Sequence, residues 1–270
     1  MRQPSGKTHL YAILGHPIAH VRAPEFLNPL IERAGRDAFV VPFHVLPEDL
    51  EEVVPRLVAI RNLRGFIVTI PHKPAMARMC AELGPAAEAT GTANTVRLEE
   101  TGRLVGDMFD GVGLVEGAKA EGMDPTGRSV LMVGTGGAGR AIALSLAQCG
   151  VKRLVLANRT ASKAEELARL VRARVPDCAV SVGPADATGH DLVVNATSLG
   201  LHAEDALPVD PATFAEGTAL FDIIAARDTE LMRAVRARGC PVAGGRPMVE
   251  HQAAAQIAFL DAPMLPGAKP

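Results

Sequence analysis

The chain has no tryptophan and one tyrosine, so it lacks the aromatic platforms on which single-stranded nucleic acids stack. It also lacks an excess of charge of either sign: 28 Lys and Arg stand against 30 Asp and Glu, a formal net charge of -2. The basic residues are scattered along the chain, which leaves no electrostatic footprint for a phosphate backbone and excludes nucleic acid as an expected partner. No apolar run approaches the ~18 residues that a membrane span needs. The opening stretch MRQPSGKTHL has no apolar core of a secretory signal. A cytoplasmic protein with no membrane association is therefore expected. The cysteines Cys80, Cys149, Cys178 and Cys240 lie far apart with no C-x-x-C pair, which argues against a zinc site or disulfide framework and for reduced, mostly buried thiols. His16 and His20 have the i, i+4 spacing of a helical metal pair, but Pro17 places them in a loop and no third ligand is evident, so no metal is expected.

What is present is an ordinary globular composition, 48% hydrophobic and 21% charged over 270 residues, long enough for two domains of roughly 100–200 residues. Strand-like and helix-like patterns alternate: HLYAIL, then PEFLNPLIERAG with Phe26, Leu27, Leu30, Ile31 and Ala34 on one face, then AFVVPFHV. That rhythm predicts βαβ units and a mostly parallel sheet. Leu50 to Leu57 reads as a helix that Pro55 bends or ends early, GFIVTI as a strand, and ANTVRLEETGRLVGD as a hairpin turning near Thr101 and Gly102. Beyond Asp110, a short helix from Gly111 to Gly122 leads to strands at Arg128–Val133, RLVLA, CAVSV, DLVVNA and ALFDII. These five strands with crossover helices predict a doubly wound lobe. The expected organisation is α/β: an N-terminal α/β substrate domain over 1–109, a C-terminal Rossmann domain over 110–245, and a final helix within 246–270 packing back on the first lobe. The Pro/Gly-rich tail after Asp261 reads as loose.

Gly134, Gly136 and Gly139 in GTGGAG fit G-x-G-x-x-G, directly after a predicted strand and before a predicted helix. The first glycine permits the tight turn, the second lets backbone approach a pyrophosphate, and the third lets helix pack on strand. An NAD site then places a carboxylate about 20 residues on to hold the ribose 2′-hydroxyl. Here that place holds Asn158, Arg159, Thr160 and Lys163. A carboxylate repels a 2′-phosphate, whereas these cations attract it, so the cofactor is expected to be NADP. The plainer alternative is a solvated helix start, against which stands the unfavourable placing of cations at a helix N-terminus.

GHPIAHVRAP resembles the G-N-P-[IV]-x-H-S-x-S-P motif of the shikimate dehydrogenase family, and IVTIPHK resembles its N-V-T-x-P-x-K. GTANTV, GDMFDGVG, GTGGAGRA, NRT and NATSLG continue the likeness in the family's order over nearly the whole chain. The resemblance implies a substrate domain, an NADP domain and a cleft in which Lys73 and Asp110 face each other, with Asn94 and Gln252 on substrate hydroxyls. Desolvation of Lys73 suits it to accept a hydroxyl proton, while Asp110 stabilises the ammonium, and sequence does not say which prevails. The alternative is that the two form only an interdomain ion pair. Along the cofactor, the resemblance adds Gly137 and Ala138 to Gly134, Thr135, Gly136 and Gly139, and places Thr197, Ile223 and Gly245 beside the nicotinamide. Ser198, in the same loop as Thr197, either lines the nicotinamide too or is a simple turn residue.

The match fails at one end of the pocket. The two serines that hold the family's carboxylate are Val21 and Ala23; the asparagine before V-T is Ile67, beside Thr69; the threonine before the aspartate is Phe109; and a late tyrosine is Ala225. Shikimate should therefore bind poorly, since its carboxylate loses charge-assisted hydrogen bonds. Arg22, between the lost serines, offers a rescue if it turns inward. His72 is either a second proton-handling group or a partly exposed loop histidine. The function expected is NADP-dependent interconversion of a secondary alcohol and a ketone on a small molecule other than shikimate, by a monomer or homodimer. The alternatives are shikimate or quinate oxidation with relaxed recognition, and a non-catalytic NADPH-binding regulator.

Overall fold

A computed structural model describes residues 3–261; the Pro/Gly-rich tail lies outside them. The chain divides into two compact units, one holding the chain up to Phe109 and again from Ala253, the other running from Asp110 to Gln252.

The first unit contains β1 (His9–Gly15), α1 (Ala23–Arg33), β2 (Ala38–His44), α2 (Leu50–Leu57), β3 (Leu63–Val68), α3 (Lys73–Met79), β4 (Glu82–Leu83), α4 (Pro85–Thr90), β5 (Thr95–Leu98) and β6 (Leu104–Asp107). Its sheet has the order β2-β1-β3-β5-β6-β4. β1 pairs in parallel with β2 and β3, whereas β5 is antiparallel to both β3 and β6. Ala12, Ile13 and Leu14 in β1 and Phe66, Ile67 and Val68 in β3 are all buried, as expected of central strands covered on both faces. The turn between β5 and β6 carries Gly102 at φ 83°, a left-handed conformation that costs glycine least.

The second unit contains α5 (Asp110–Ala120), β7 (Ser129–Val133), α6 (Gly137–Gln148), β8 (Arg153–Ala157), α7 (Ala161–Arg174), β9 (Val180–Val182), β10 (Leu192–Asn195), β11 (Ala219–Asp222), α8 (Glu230–Ala237) and β12 (Val242–Ala243). Every pairing in its sheet is parallel, in the order β12-β11-β10-β7-β8-β9. Numbered from β7, this is the 3-2-1-4-5-6 order of a doubly wound dinucleotide fold, with its switch point between β7 and β10. The sheet has six strands where the sequence reading gives five. The sixth, β12, is two residues long, too short for any periodicity to reveal.

The last helix, α9 (Arg246–Leu260), is shared: its residues up to Gln252 belong to the second unit and those from Ala253 to the first. Glycines on α5 explain the former. A Cβ on Gly113 would lie 2.6 Å from the Met248 carbonyl oxygen and 2.8 Å from Gln252 Cβ, and one on Gly117 would lie 2.9 Å from the Met248 nitrogen. Beyond, Ala253 and Leu260 enter the first unit's apolar cluster with Tyr11, Ile13, Leu27, Ile31 and Ile67. Among the described residues no helix is long and apolar enough to cross a membrane.

Candidate active site

Lys73 does not sit in a loop. After β3 the chain turns at once into α3, with His72 N–H donating to Thr69 O (2.9 Å) and Met76 N–H to His72 O (2.9 Å), and Lys73 is the first residue of that helix. It is buried, 8% exposed. A cation at a helix start opposes the macrodipole, and burial adds a desolvation cost, so stability alone does not account for a lysine here. The same region carries Asn94. Ala93 N–H donates to Lys73 O (3.1 Å), Val68 N–H to Asn94 O (2.7 Å) and Asn94 N–H to Asp107 O (3.1 Å), tying together the end of β3, the start of α3 and the ends of the β5–β6 hairpin. Thr69 joins them through its N–H to Leu14 O (2.9 Å). A Cβ on Gly15 would come within 2.5 Å of Thr69 Cγ2, so that approach requires glycine.

Three of the replaced positions share one apolar cluster. Ile67 belongs to the first unit's apolar cluster, and half-buried Val21 and Ala23 pack against it with Ile18 and Leu30. The Phe109 ring lies 5.5 Å from that of Phe259 in α9, while its backbone N–H donates to Asn94 Oδ1 (3.1 Å). Arg22 turns outward. It pairs with Glu25 one helical turn on, its side chain 45% exposed, so an inward Arg22 replacing the lost serines is not what the structure holds.

His72 corrects the expectation of a partly exposed loop histidine: it is 1% exposed and its Nε2–H donates to Val45 O (2.9 Å). Burial pushes its imidazole below the ordinary histidine value; the Val45 carbonyl pulls it back in part, and His16 pushes it lower. Sequence reasoning also missed that His16 Nδ1 lies 2.9 Å from His44 Nε2 with the rings stacked. The one signal was His16 standing where the family motif has asparagine. Among the described residues no group of three His, Cys, Asp or Glu side chains is arranged to hold a metal ion.

In the second unit, the glycine-rich turn lies at the switch point. Gly134 has φ 104°, and a Cβ there would lie 2.8 Å from Ala196 O and from Thr197 Cγ2, so the turns after β7 and β10 run side by side. A Cβ on Gly139 would lie 2.4 Å from Gly134 O, whereas one on Gly136 meets nothing within 4 Å. Two glycines thus allow close packing, and the third leaves open backbone at the start of α6 together with Gly137 and Ala138. Thr135 between them is buried, with no hydrogen-bond partner for its Oγ1 among the described residues. These features fit a dinucleotide pyrophosphate. After β8, Asn158 Nδ2 donates to Thr160 O (2.9 Å), shaping the turn into α7. Arg159, Thr160 and Lys163 are exposed there, and no carboxylate occupies the turn.

Thr197 is held internally: its Oγ1–H donates to Asn195 Oδ1 (2.7 Å) and its oxygen accepts from Leu199 N–H (3.1 Å). Asn195 Nδ2 in turn donates to Asp222 Oδ1 (3.1 Å), whose other oxygen accepts from Thr229 Oγ1 (3.0 Å). Asp222 is fully buried, and desolvation pushes its carboxyl above the usual range. This network, unseen in the sequence reading, braces the ends of β10 and β11. Ile223 N–H donates to Asn195 O (3.1 Å), and a Cβ on Gly245 would lie 2.1 Å from Ile223 O. Asp110 opens α5 and is 3% exposed; Gln252, on α9, is 8% exposed.

The two units correspond to two family models. Residues 13–96 match the shikimate dehydrogenase substrate binding domain, and residues 116–235 match shikimate / quinate 5-dehydrogenase. A protein of Rubrobacter xylanophilus named shikimate dehydrogenase (NADP(+)) is 37% identical over 253 residues, covering 92% of this chain and 88% of that protein. The chain belongs to the shikimate dehydrogenase family. It is thus an oxidoreductase of the type that acts on a CH–OH group. Among solved structures, shikimate dehydrogenase from Aquifex aeolicus superposes with a TM-score of 0.86 at 28% identity, over 98% of this chain and 96% of that one. A 5-ketofructose reductase of a Gluconobacter strain superposes with a TM-score of 0.79 at 27% identity, over 95% of this chain and 94% of that one.

Proposed function

We propose that this shikimate dehydrogenase family member is an NADP-dependent oxidoreductase interconverting a secondary alcohol and a ketone on a substrate without shikimate's carboxylate. One observation carries the reading: Val21, Ala23 and Ile67 gather in a single apolar cluster, at positions where the family motif has hydrogen-bonding side chains. A carboxylate buried there without donors costs several kcal/mol, and each missing charge-assisted bond is worth about 1.5–3 kcal/mol. A neutral substrate incurs neither loss. The neighbour named 5-ketofructose reductase supports this, because 5-ketofructose is an uncharged, hydroxylated ketone.

Lys73 and Asp110 are the residues we assign to proton transfer. Oxidation of a carbinol requires its hydroxyl proton to leave, and the Lys73 amine takes it; in reduction the ammonium returns it. Asn94 and Gln252 are assigned to the substrate's hydroxyl groups, with Thr69 beside them and Val21, Ala23, Ile67 and Phe109 facing its uncharged part. Bound NADP(H) supplies the hydride chemistry. Residues 134–139 would hold its pyrophosphate, and Asn158, Arg159, Thr160 and Lys163 its 2′-phosphate, with Thr197, Ile223 and Gly245 beside the nicotinamide. The NADP(+) in the Rubrobacter relative's name and the cations after β8 support that choice.

The test is NADP-linked turnover of 5-ketofructose, cyclic alcohols, hydroxy acids, shikimate and quinate, followed at the NADPH absorbance. A neutral hydroxylated compound should be preferred, and Lys73→Ala should lower kcat by about 10²–10⁴ with NADPH affinity unchanged. NADPH binding without turnover of any compound overturns the catalytic reading; shikimate as the best substrate overturns the substrate reading.

A further inference from the structure

Asn94 can offer a substrate either its amide oxygen or its amide nitrogen, and the surrounding hydrogen bonds decide between them. Its Oδ1 accepts from the backbone N–H of Phe109 (3.1 Å), a group that can only donate, which fixes that atom as oxygen. The same oxygen lies 3.0 Å from Thr95 Oγ1, so the threonine hydroxyl must donate to it. Having spent its proton there, Thr95 Oγ1 can only accept from Gln256, whose Nε2 stands 3.0 Å away. The chain of bonds thus runs one way, from Gln256 through Thr95 to Asn94. All three residues are buried, at 3%, 0% and 2% exposure respectively, so water does not compete. Gln256 is on α9 and more than 150 residues from Thr95 in sequence, and no motif reading singled it out.

We infer that Gln256 and Thr95 are positioning residues: the Thr95 hydroxyl, its direction set by Gln256, joins the Phe109 N–H in filling both lone pairs of Asn94 Oδ1 and so commits Asn94 to act toward a ligand as a donor through Nδ2. Such a donor suits a hydroxyl or ketone oxygen and gives nothing to an ammonium group in that place. The inference rests on the assignment of Asn94 to substrate under the proposed function. It deepens that assignment by fixing the sign of the contact and naming the residues that set it.

The experiment is a double-mutant cycle in the full-length chain, with 5-ketofructose and NADPH, and with shikimate and NADP+, as probes. Thr95→Val and Gln256→Glu should each raise the KM of the carbon substrate about five- to tenfold while the KM for the nucleotide stays within about twofold. Thr95→Ser, which keeps the hydroxyl, should restore the wild-type value. In an Asn94→Ala background neither change should shift the substrate KM by more than about twofold. Equal effects with and without Asn94 overturn the inference, because a merely structural role would persist. A second readout needs no turnover: the Asn94 side-chain amide resonances, identified by their loss in Asn94→Ala, should exchange with water at least about tenfold faster in Thr95→Val. Unaltered exchange overturns the relay. If the wild-type chain turns over neither probe, the proposed function fails on these compounds, and the resonance measurement still decides the relay.

Discussion

Returning serines to positions 21 and 23 is the sharpest way to probe the altered pocket. Val21 and Ala23 are half-buried at the margin of the apolar cluster, whereas Ile67 is 5% exposed inside it. An asparagine at 67 would bury an amide among Tyr11, Ile13 and Leu27, which costs about 1–3 kcal/mol; the serines avoid that. Each new hydroxyl donating to a carboxylate is worth about 1.5–3 kcal/mol. Two therefore correspond to roughly 10²–10⁴ in kcat/KM, at a tenfold change per ~1.36 kcal/mol. Geometry inherited from apolar side chains will not be ideal, so the lower end, about 10², is the expected gain for Val21→Ser with Ala23→Ser on shikimate. Loss of apolar packing at 21 removes about 1 kcal/mol of stability, a Tm shift of about 2–4 °C. The assay is NADP+ reduction by shikimate, with a neutral hydroxylated compound as the control, whose kcat/KM should not rise. A double variant that folds yet gains nothing on shikimate refutes the reasoning. So does a wild-type chain that already oxidises shikimate at about 10⁵ M⁻¹s⁻¹ or faster, well within the ordinary enzyme range.

Gly139→Val should abolish measurable NADPH binding by fluorescence titration, because its Cβ would lie 2.4 Å from Gly134 O and the phosphate turn would have to open. Arg159→Ser with Lys163→Ala should lower the preference for NADPH over NADH by about 10–100-fold, as two charge-assisted contacts with the 2′-phosphate are lost; unchanged KM values for both nucleotides would show that these cations only solvate the start of α7. His72 contributes a pH dependence whose sign follows from its lowered folded-state value. The unfolded chain binds the proton more readily, so the stabilisation is whole above the ordinary histidine value of about 6.5 and is lost as pH falls below it toward the folded value. His72→Gln, which keeps a donor for Val45 O, should flatten the dependence of Tm on pH between about 7 and 5; an unaltered slope would assign it to other groups.

The local content of the sequence carried much of this molecule. Apolar runs such as Leu131–Val133 and Phe66–Val68 mark strands covered on both faces, and the glycines at 134, 136 and 139 demand a turn that only a close strand-to-helix junction uses. The motif departures at Val21, Ala23 and Ile67 were equally plain, because identity at a position needs no coordinates. Elements as short as β4 and β12 left no trace, since two residues cannot display a period and their pairing depends on a neighbour already in place. Direction was invisible too. Arg22 could face either way until Glu25 was seen to hold it outward, and His72 reads as a loop residue until the Val45 carbonyl stands over it.

Sequence by itself therefore determined the family, the alternation of elements and the chemical identity of each candidate group. Only tertiary structure gathered Val21, Ala23 and Ile67 into one apolar cluster, buried Lys73 at a helix start, and brought Gln256 beside Thr95. The physical reason is that periodicity and turn chemistry are set by residues a few places apart, whereas a side chain's direction and hydrogen-bond sign are set by partners that only packing delivers.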